Sequence, residues 1–418
     1  MKNLVRKTFF TLLSFFIVLI FFSCNEKSSS EPATNLVLAL RSGTYADVVK
    51  FCLPKFEEEN NVKCKVLELE QEDLRDGVGN CDLCMVDSQW VASFMSRNEL
   101  ADLKTLGYKF DPDIIPATTT ICYNGNGLYL VPYYGNVTVL LYNKLLAKEA
   151  GFASGEISSI TDMLAVCQFA NKRHTLGFLY RGDTNFNIVT DFLPILLAYG
   201  GWLIDENKRP TVNTPEFLSA LYMYKELIST GRVAKKSDLI AAIENKAAAM
   251  TIGWPGWYTP KRNSSMEYIA LTGKVTHLSD PHASNIYGTW LLGIPESSQH
   301  KELAIKLLTY LMDPKVQKST VSAGGVPCRY SCLRDNGILG KYPEYKFVCD
   351  ALENGVYRPV IEEWPEFCDI LGSEMKLALD GDKSVEDVLL SAQEKLERRL
   401  SLSGENAKAA MRAKASKK

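Results

Sequence analysis

Strand-like and helix-like segments alternate over the first part of the chain, and this alternation constrains the fold more than any other feature. Residues 35–40 form an apolar run typical of a β-strand, and the residues up to about 60 carry apolar side chains at helical spacing. Residues 62–69 and 81–86 again resemble strands. This order predicts a largely parallel sheet flanked by helices, and therefore an α/β protein.

Two polar loops follow the ends of predicted strands. Ligands of parallel α/β sheets bind beyond the carboxyl ends of the strands. Arg41 and Thr44 lie in the first loop, and Asp87, Gln89 and Trp90 lie in the second, so all five are candidate ligand contacts. The alternative for Trp90 is packing against the helix predicted after it.

Aromatic and amide side chains mark two further loops. The peptide GWPGWY places Trp254 and Trp257 among Gly and Pro residues, with neither helical nor strand periodicity. Asp183, Asn185 and Asn187 share a polar loop; helix capping would account for one of them but not for all three. Aromatic faces stack on sugar rings while carboxylate and amide groups bind hydroxyls, so this composition favours a neutral polyol ligand.

The overall charge and the histidines exclude other classes of ligand. The chain has 418 residues and a net charge of −2, so no global field attracts nucleic acid. We therefore expect no nucleic-acid partner. The histidines are scattered, which predicts neither a metal site nor a cofactor: His174, His277, His282 and His300.

The N-terminus has the composition of a secretory signal. Lys2, Arg6 and Lys7 precede an apolar core at 8–22, which is too short for a comfortable membrane span. The Ser before Cys24 makes this cysteine resemble a lipoprotein cleavage site, although the residues preceding it are atypical. We expect an exported protein that is lipid-anchored at Cys24; a plain signal peptide or an uncleaved anchor helix is the alternative.

The other cysteines do not settle the pattern of disulfides. Exported proteins form disulfides readily, yet Cys84 and Cys167 lie in apolar runs, where free cysteine behaves as a small hydrophobe. Cys328 and Cys332 are the better-placed pair by proximity, and the connectivity stays open.

The segment 130–152 (LVPYYGNVTVLLYNKLLAKEAGF) predicts a turn, a strand at 137–142 and the start of a helix. With the D-x-x-W motif at 87–90 and the peptide GTWLLGIP at 288–295, it resembles bacterial extracellular solute-binding proteins of the sugar-receptor type, which feed ABC importers. The resemblance covers essentially the whole mature chain and rests on the order of segments that are individually weak.

The resemblance implies a two-lobed periplasmic-binding-protein-like fold of type II with a hinge of crossover segments, namely 130–152, 288–293 and 313–324. It implies these divisions: a signal peptide at 1–23, a tether at 24–35, lobe I at 36–135 plus 289–320, lobe II at 136–288 plus 321–402, and a mobile basic tail at 403–418.

The resemblance also adds residues to the candidate site. It places Tyr134 and Asn136 at the hinge side of the cleft, Trp290 in the return strand, and Arg329 and Arg358 in late segments near the cleft.

The function implied by the resemblance is that of a binding protein, not an enzyme. Two lobes would close around a mono- or oligosaccharide and present it to a permease. The implied partners are the solute, the permease subunits and the membrane through the lipid anchor, and the chain would be a monomer. A phosphate or sulfate ligand would need a Gly-rich helix N-terminus or an arginine cluster, which Arg41 and Arg181 alone do not establish.

Three alternatives remain at this point: a receptor for another solute, a surface lipoprotein without a transport role, and an enzyme on the same fold. Thiaminase I resembles these receptors and carries a nucleophilic cysteine in the crossover turn. The corresponding turn here, 132–136, contains no cysteine, and Cys122 lies about ten residues upstream. The sequence therefore argues against this enzyme.

Overall fold

The computed structural model describes residues 34–76, 78–153, 157–258, 264–270 and 285–415. The expectations for 1–23, for Cys24, for His277 and for His282 fall outside these residues. The strands are β1 Thr34–Arg41, β2 Val62–Leu69, β3 Leu83–Asp87, β4 Tyr123–Asn124, β5 Gly127–Leu128, β6 Leu130–Tyr134, β7 Val139–Asn143, β8 Leu176–Tyr180, β9 Arg232–Val233, β10 Ala248–Gly253, β11 Met266–Ala270, β12 Ile286–Tyr287, β13 Trp290–Gly293 and β14 Val356–Tyr357.

Helices surround these strands. They are α1 Thr44–Asn60, α2 Gln71–Asp76, α3 Val91–Ser96, α4 Lys144–Glu149, α5 Ile160–Lys172, α6 Asn185–Ala198, α7 Pro215–Ser229, α8 Lys236–Glu244, α9 Lys301–Leu311, α10 Pro314–Thr320, α11 Tyr330–Leu333, α12 Asn336–Leu339, α13 Tyr345–Glu353, α14 Trp364–Asp380 and α15 Val385–Ala415. Among the described residues, no helix combines the length and the apolar character that a membrane span requires.

Two five-stranded sheets form the centres of two lobes. The first has the order β2-β1-β3-β13-β6, with β1 parallel to β2 and β3 and with β13 antiparallel to its neighbours. The second has the order β11-β7-β10-β8-β9, with β10 parallel to β8 and antiparallel to β7. The predicted α/β class and the two-lobed architecture are confirmed.

Neighbouring crossovers are hydrogen-bonded to each other where the chain passes between the sheets. Thr138 N donates to Ile286 O at 2.9 Å, and Gly288 N donates to Asn136 O at 2.9 Å. An added Cβ at Gly135 would lie 2.8 Å from Leu352 Cδ1 and 3.1 Å from Val326 O, so a side chain here would crowd the turn. The hinge thus consists of paired backbone segments, which restrict how the lobes move relative to each other.

The strand boundaries differ from the prediction in the segment 130–152. The peptide LVPYY, which was expected to form a turn, is strand β6, and the following strand begins at Val139. Every residue of β6 is buried, because the strand pairs with β13 on one side and is covered on both faces. Strands covered on both faces lose the alternating pattern that identifies a strand from sequence.

The lobe boundaries remain a proposal. The chain leaves the first sheet after β6 and enters the second at β7, and it rejoins the first sheet at β13. Helix α13, which the expected boundaries place in lobe II, contacts β11 of the second sheet. It also contacts the turn Pro116–Thr119, which packs against β6 of the first sheet. The segment from 321 to 353 therefore touches both lobes.

All ten cysteines in the described residues are free thiols, including Cys328 and Cys332, the pair favoured by proximity. Nine of the ten are buried, and only Cys64 is half-buried. They act as small core residues, in agreement with the apolar runs around Cys84 and Cys167.

Candidate functional site

A cavity of about 410 Å³ lies where the two sheets face each other. Its wall combines the carboxyl end of β1 with that of β3 in the first lobe and the residues just after β8 and β10 in the second. The wall residues are Arg41, Tyr45, Gln71, Asp87, Asn136, Arg181, Asp183, Phe186, Asn187, Thr190, Ala234, Lys235, Lys236, Trp254, Trp257, Gly288, Trp290 and Arg358.

Two larger depressions lie elsewhere on the molecule. One, of about 770 Å³, has no aromatic side chain in its wall, and the other, of about 620 Å³, lies between α1, α9 and α10 of the first lobe. Of these three, the smaller cavity is the one that joins strand ends of both sheets, the position at which open α/β sheets bind ligands. We therefore take it as the candidate site.

Three tryptophans line this cavity. Trp254 follows the end of β10 directly, and Trp257 closes the short 3-10 turn after it. Trp254 is 6% exposed and packs over Gly288, where an added Cβ would lie 2.7 Å from the indole. Trp290 opens β13 and packs 5.5 Å from the ring of Tyr45. Indole faces from both lobes thus border one space.

Asp87 and Arg358 form an ion pair in the cavity wall. Arg358 Nη2 donates to Asp87 Oδ1 at 3.0 Å across 271 residues of chain, and both side chains are almost fully buried. Asp87 also accepts from Gln71 Nε2 at 2.9 Å and from Gln89 N at 3.1 Å. Burial raises the pKa of Asp87 above its ordinary value, and the positive charge of Arg358 opposes this rise.

In the second lobe, the buried carboxylate of Asp191 binds Arg181 of the cavity wall. Arg181 Nε donates to Asp191 Oδ1 at 3.1 Å, and its guanidinium carbon lies 5.0 Å from the centre of the Trp257 ring. Burial raises the pKa of Asp191, while Arg181 lowers it. The arginine is therefore fixed by a charge beneath it and an aromatic face beside it.

The structure brings a majority of the predicted site residues to this cavity. Those that line it are Arg41, Asp87, Asn136, Asp183, Trp254, Trp257, Trp290 and Arg358, together with Asn187 from the polar loop. Asn136 Nδ2 donates to the hydroxyl of Tyr45 at 3.2 Å, which fixes its amide at the hinge side.

The remaining predicted residues in the first lobe and at the hinge do not line the cavity. Thr44 starts α1, and its neighbour Tyr45 takes the place in the wall. Gln89 donates to Asp87 from behind, and Trp90 is 9% exposed and packs against Arg75 at 5.5 Å. Trp90 is thus buried in the first lobe, and the contact observed is with Arg75 of α2.

Tyr134, Asn185 and Arg329 also have structural contacts instead of a place in the wall. Tyr134 is buried and donates its hydroxyl to Gly324 O at 2.7 Å. Asn185 Nδ2 donates to Ser373 Oγ at 2.9 Å and so ties α6 to α14. Arg329 is fully buried among acceptors of the first lobe, away from the cleft.

Several wall residues were missed by the sequence reasoning: Tyr45, Gln71, Phe186, Thr190, Ala234, Lys235, Lys236 and Gly288. Arg181 was noted only as an isolated cation. Tyr45 lies one residue past Thr44, which was a predicted contact. No local signal identified Lys235 and Lys236, because the loop that carries them is brought to the cavity by the folding of the second sheet.

The sequence matches a known protein family. Residues 53–345 match the model of the family described as bacterial extracellular solute-binding protein. A probable ABC transporter-binding protein of Deinococcus radiodurans is 22% identical over 308 residues, which span 70% of this chain and 73% of that protein. The maltodextrin-binding protein MdxE of Bacillus subtilis is 25% identical over 219 residues, or 49% of each chain.

Solved structures agree on the fold. The maltose-bound MalE3 of T. maritima matches with a TM-score of 0.75 and 21% identity, over 87% of this chain and 99% of that one. The sugar-binding protein MalE from Xanthomonas citri matches with a TM-score of 0.75 and 20% identity, over 90% of this chain and 99% of that one. The chain belongs to the bacterial extracellular solute-binding protein family.

Proposed function

We propose that this protein binds a carbohydrate in the cleft between its lobes and delivers it to the permease of an ABC importer. The observation that carries the proposal is the cavity wall itself, in which Trp254, Trp257 and Trp290 surround a space that also contains the polar groups of Asp87 and Asn136. Flat aromatic faces with a few fixed polar groups are the combination that binds sugar rings and their hydroxyls.

The fold supplies the means of delivery. The ion pair between Asp87 and Arg358 and the pairing of the crossover segments hold the cleft together. A ligand that contacts both walls favours the closed arrangement through its differential affinity, and a permease can recognise that arrangement. Solved structures of the same fold hold maltose, tagatose, ribitol and mannitol, and this supports a carbohydrate or polyol as the ligand.

A thermal-shift screen tests the proposal. The purified protein is heated with neutral and acidic monosaccharides, disaccharides, oligosaccharides, polyols and amino acids, the last because one relative is named as an amino-acid receptor. Binding to the folded state alone raises the melting temperature by mass action, by an amount that grows with ligand concentration. A shift with amino acids and none with carbohydrates or polyols would overturn the carbohydrate assignment.

We further infer that the cleft binds its ligand without transforming it. Cys122, the nearest thiol to the crossover turn in sequence, is fully buried, and burial raises its pKa well above the ordinary value. A nucleophilic thiol needs exposure and a lowered pKa. This setting argues against thiaminase-like chemistry.

The thiols provide a prediction for the folded protein. Burial raises the pKa of Cys52 to about 11 and that of Cys167 to about 12, so both are protonated at neutral pH. We expect iodoacetamide to leave the described cysteines largely unmodified in the native protein, with the half-buried Cys64 reacting first. Mass spectrometry of peptides from native and urea-unfolded samples measures this. Rapid native labelling of Cys122 would contradict it.

Export and anchoring belong to the same proposal. The family consists of extracellular proteins, and the basic and apolar start of the chain supports a signal peptide. We propose a lipid anchor at Cys24, a monomeric receptor, and the membrane and the permease as its partners. Mass spectrometry of the mature N-terminus tests the anchor.

A further inference from the structure

Positive charges from both lobes meet at one part of the cavity wall. Arg41 ends β1 of the first lobe, Arg181 follows β8 of the second, and Lys235 and Lys236 mark the start of α8. With Arg358, five cationic side chains face the cavity, against the carboxylates of Asp87 and Asp183, which line the same wall.

The partners of these cations leave a surplus of positive charge. Arg41 pairs with Glu70, whose side chain is 64% exposed, at 2.8 Å, and Arg181 pairs with the buried Asp191. In the described part of the chain, neither Lys235 nor Lys236 has a hydrogen bond or an ion pair from its ammonium group. Two cations at the mouth of the cleft are thus left to solvent or ligand.

The carboxylates of the wall do not neutralise them. Asp87 already faces Arg358 at 3.0 Å. Asp183 accepts from Asn187 Nδ2 at 2.8 Å in the exposed loop before α6 and pairs with no cation in the described residues. After every ion pair of the wall has been assigned within the described ranges, two lysines remain unpaired against the single carboxylate of Asp183, so the wall keeps a net positive charge.

The start of α8 adds to this positive region. Lys235 is the N-cap residue, and no side chain caps the helix. A helix N-terminus carries a partial positive charge, and the two lysines add to it, while Asp238 in the first turn offsets part of this charge. Partial burial lowers the pKa of Lys236 most, the guanidinium groups of Arg41 and Arg181 lower it further, and the carboxylate of Glu70 raises it.

Buried polar groups in the same cavity are also unpartnered. Arg358 is 4% exposed, and its Nε has no acceptor although its Nη2 is bound to Asp87 and Ser88. The hydroxyl of Thr190 and Oδ1 of Asn136 are likewise buried without a partner. Buried polar groups are normally hydrogen-bonded, so these unpaired atoms add to the polar character of the residues that line the cavity.

We propose that the carbohydrate bound by this cleft carries an anionic group, a carboxylate or a phosphate, which lies among Arg41, Arg181 and Lys236 while the ring stacks on the tryptophans. This inference rests on the proposed carbohydrate function and narrows it. The sequence alone favoured a neutral polyol, because it did not show that cations from three distant segments share one wall.

Matched ligands test the inference by calorimetry. Glucose, galactose and mannose are each compared with their uronates and with their 6-phosphates. The comparison shows whether the site prefers a carboxylate or a phosphate group. We expect at least one acid to bind about tenfold or more tightly than its neutral parent. We also expect its affinity to fall as the salt concentration rises, since exposed charges are screened.

Substitution of Lys236 tests the location. Lys236→Gln removes one unpaired cation from an exposed position, and the melting temperature without ligand should therefore change little. We expect about a tenfold loss of affinity for the acidic sugar and no loss for its neutral parent. Lys172→Gln, which removes an exposed lysine at the end of α5 outside the cavity wall, is the matched control and should change neither affinity.

The outcomes separate the two proposals. If neutral sugars bind as tightly as their acids, or if Lys236→Gln and Lys172→Gln behave alike, the anionic subsite is wrong while the carbohydrate function stands. If no neutral or acidic carbohydrate binds, both proposals fail. Tighter binding of an acid that depends on Lys236 supports both.

Discussion

Replacing Trp257 with alanine is expected to weaken carbohydrate binding by about 2 kcal/mol, a factor of about thirty in Kd. The indole closes the turn Pro255–Trp257 and lies against the end of β10, where an added Cβ at Gly253 would stand 2.7 Å from it. The indole lines the cavity beside Arg181, whose guanidinium carbon lies 5.0 Å from the ring centre, and contributes an apolar face to the wall. Alanine would remove this apolar face without changing the hydrogen-bonding groups of the wall.

Trp202→Ala is the matched control for this substitution. Trp202 is also half-buried and belongs to the second lobe, but it follows Gly201 near the end of α6 and is absent from the cavity wall. Titration calorimetry with the tightest ligand of the thermal-shift screen measures both variants, and circular dichroism checks that each is folded. Equal affinities of Trp257→Ala and the unchanged protein would show that the ring does not contact the ligand.

Replacing Arg329 with methionine is expected to lower the free energy of unfolding by about 3–5 kcal/mol, while the folded variant keeps its affinity for ligand. Arg329 Nη1 lies 3.0 Å from Asp113 and also contacts Asp111, and Nε donates to Gln317 Oε1 at 3.0 Å. Nη2 donates to Met312 O at 2.7 Å. Methionine would leave the two carboxylates close together and two acceptors unpaired.

Arg334→Met is the control for the loss of charge. Arg334 lies five residues further along the chain and pairs with Glu353, but its side chain is 58% exposed. Exposed ion pairs contribute about 0–1 kcal/mol, so this variant should unfold at nearly the same urea concentration as the unchanged protein. If folded Arg329→Met lost ligand affinity with little change in stability, the structural role would be wrong. The result would instead support the contact with ligand that the sequence had suggested for this arginine.

Local patterns were sufficient for the class of fold. The apolar runs of β1, β2 and β3 and the helical spacing of α1 predicted a parallel sheet, because each pattern depends only on residues close in sequence. Asp87 and Arg41 were correctly placed at strand ends for the same reason. The strand β6 was missed, because its tyrosines are covered on both faces and show no alternation.

Spacing alone did not separate cleft residues from their neighbours. Trp90 and Tyr45 both lie just after predicted loops, and only the packing shows that Trp90 turns into the core while Tyr45 enters the wall. Arg329 and Arg358 looked equivalent in the late segments. One binds the acceptors of the first lobe, and the other reaches Asp87 in the cleft.

The sequence by itself determined the alternation of strands and helices and the resemblance of its segment order to solute-binding proteins. The tertiary structure decided which side chains face the cleft and which charges meet there. Arg41, Arg181 and Lys236 are far apart in the chain, and Arg358 lies 271 residues from Asp87. Burial and electrostatic interaction depend on distance in space, which the pairing of two sheets sets and which no local pattern records.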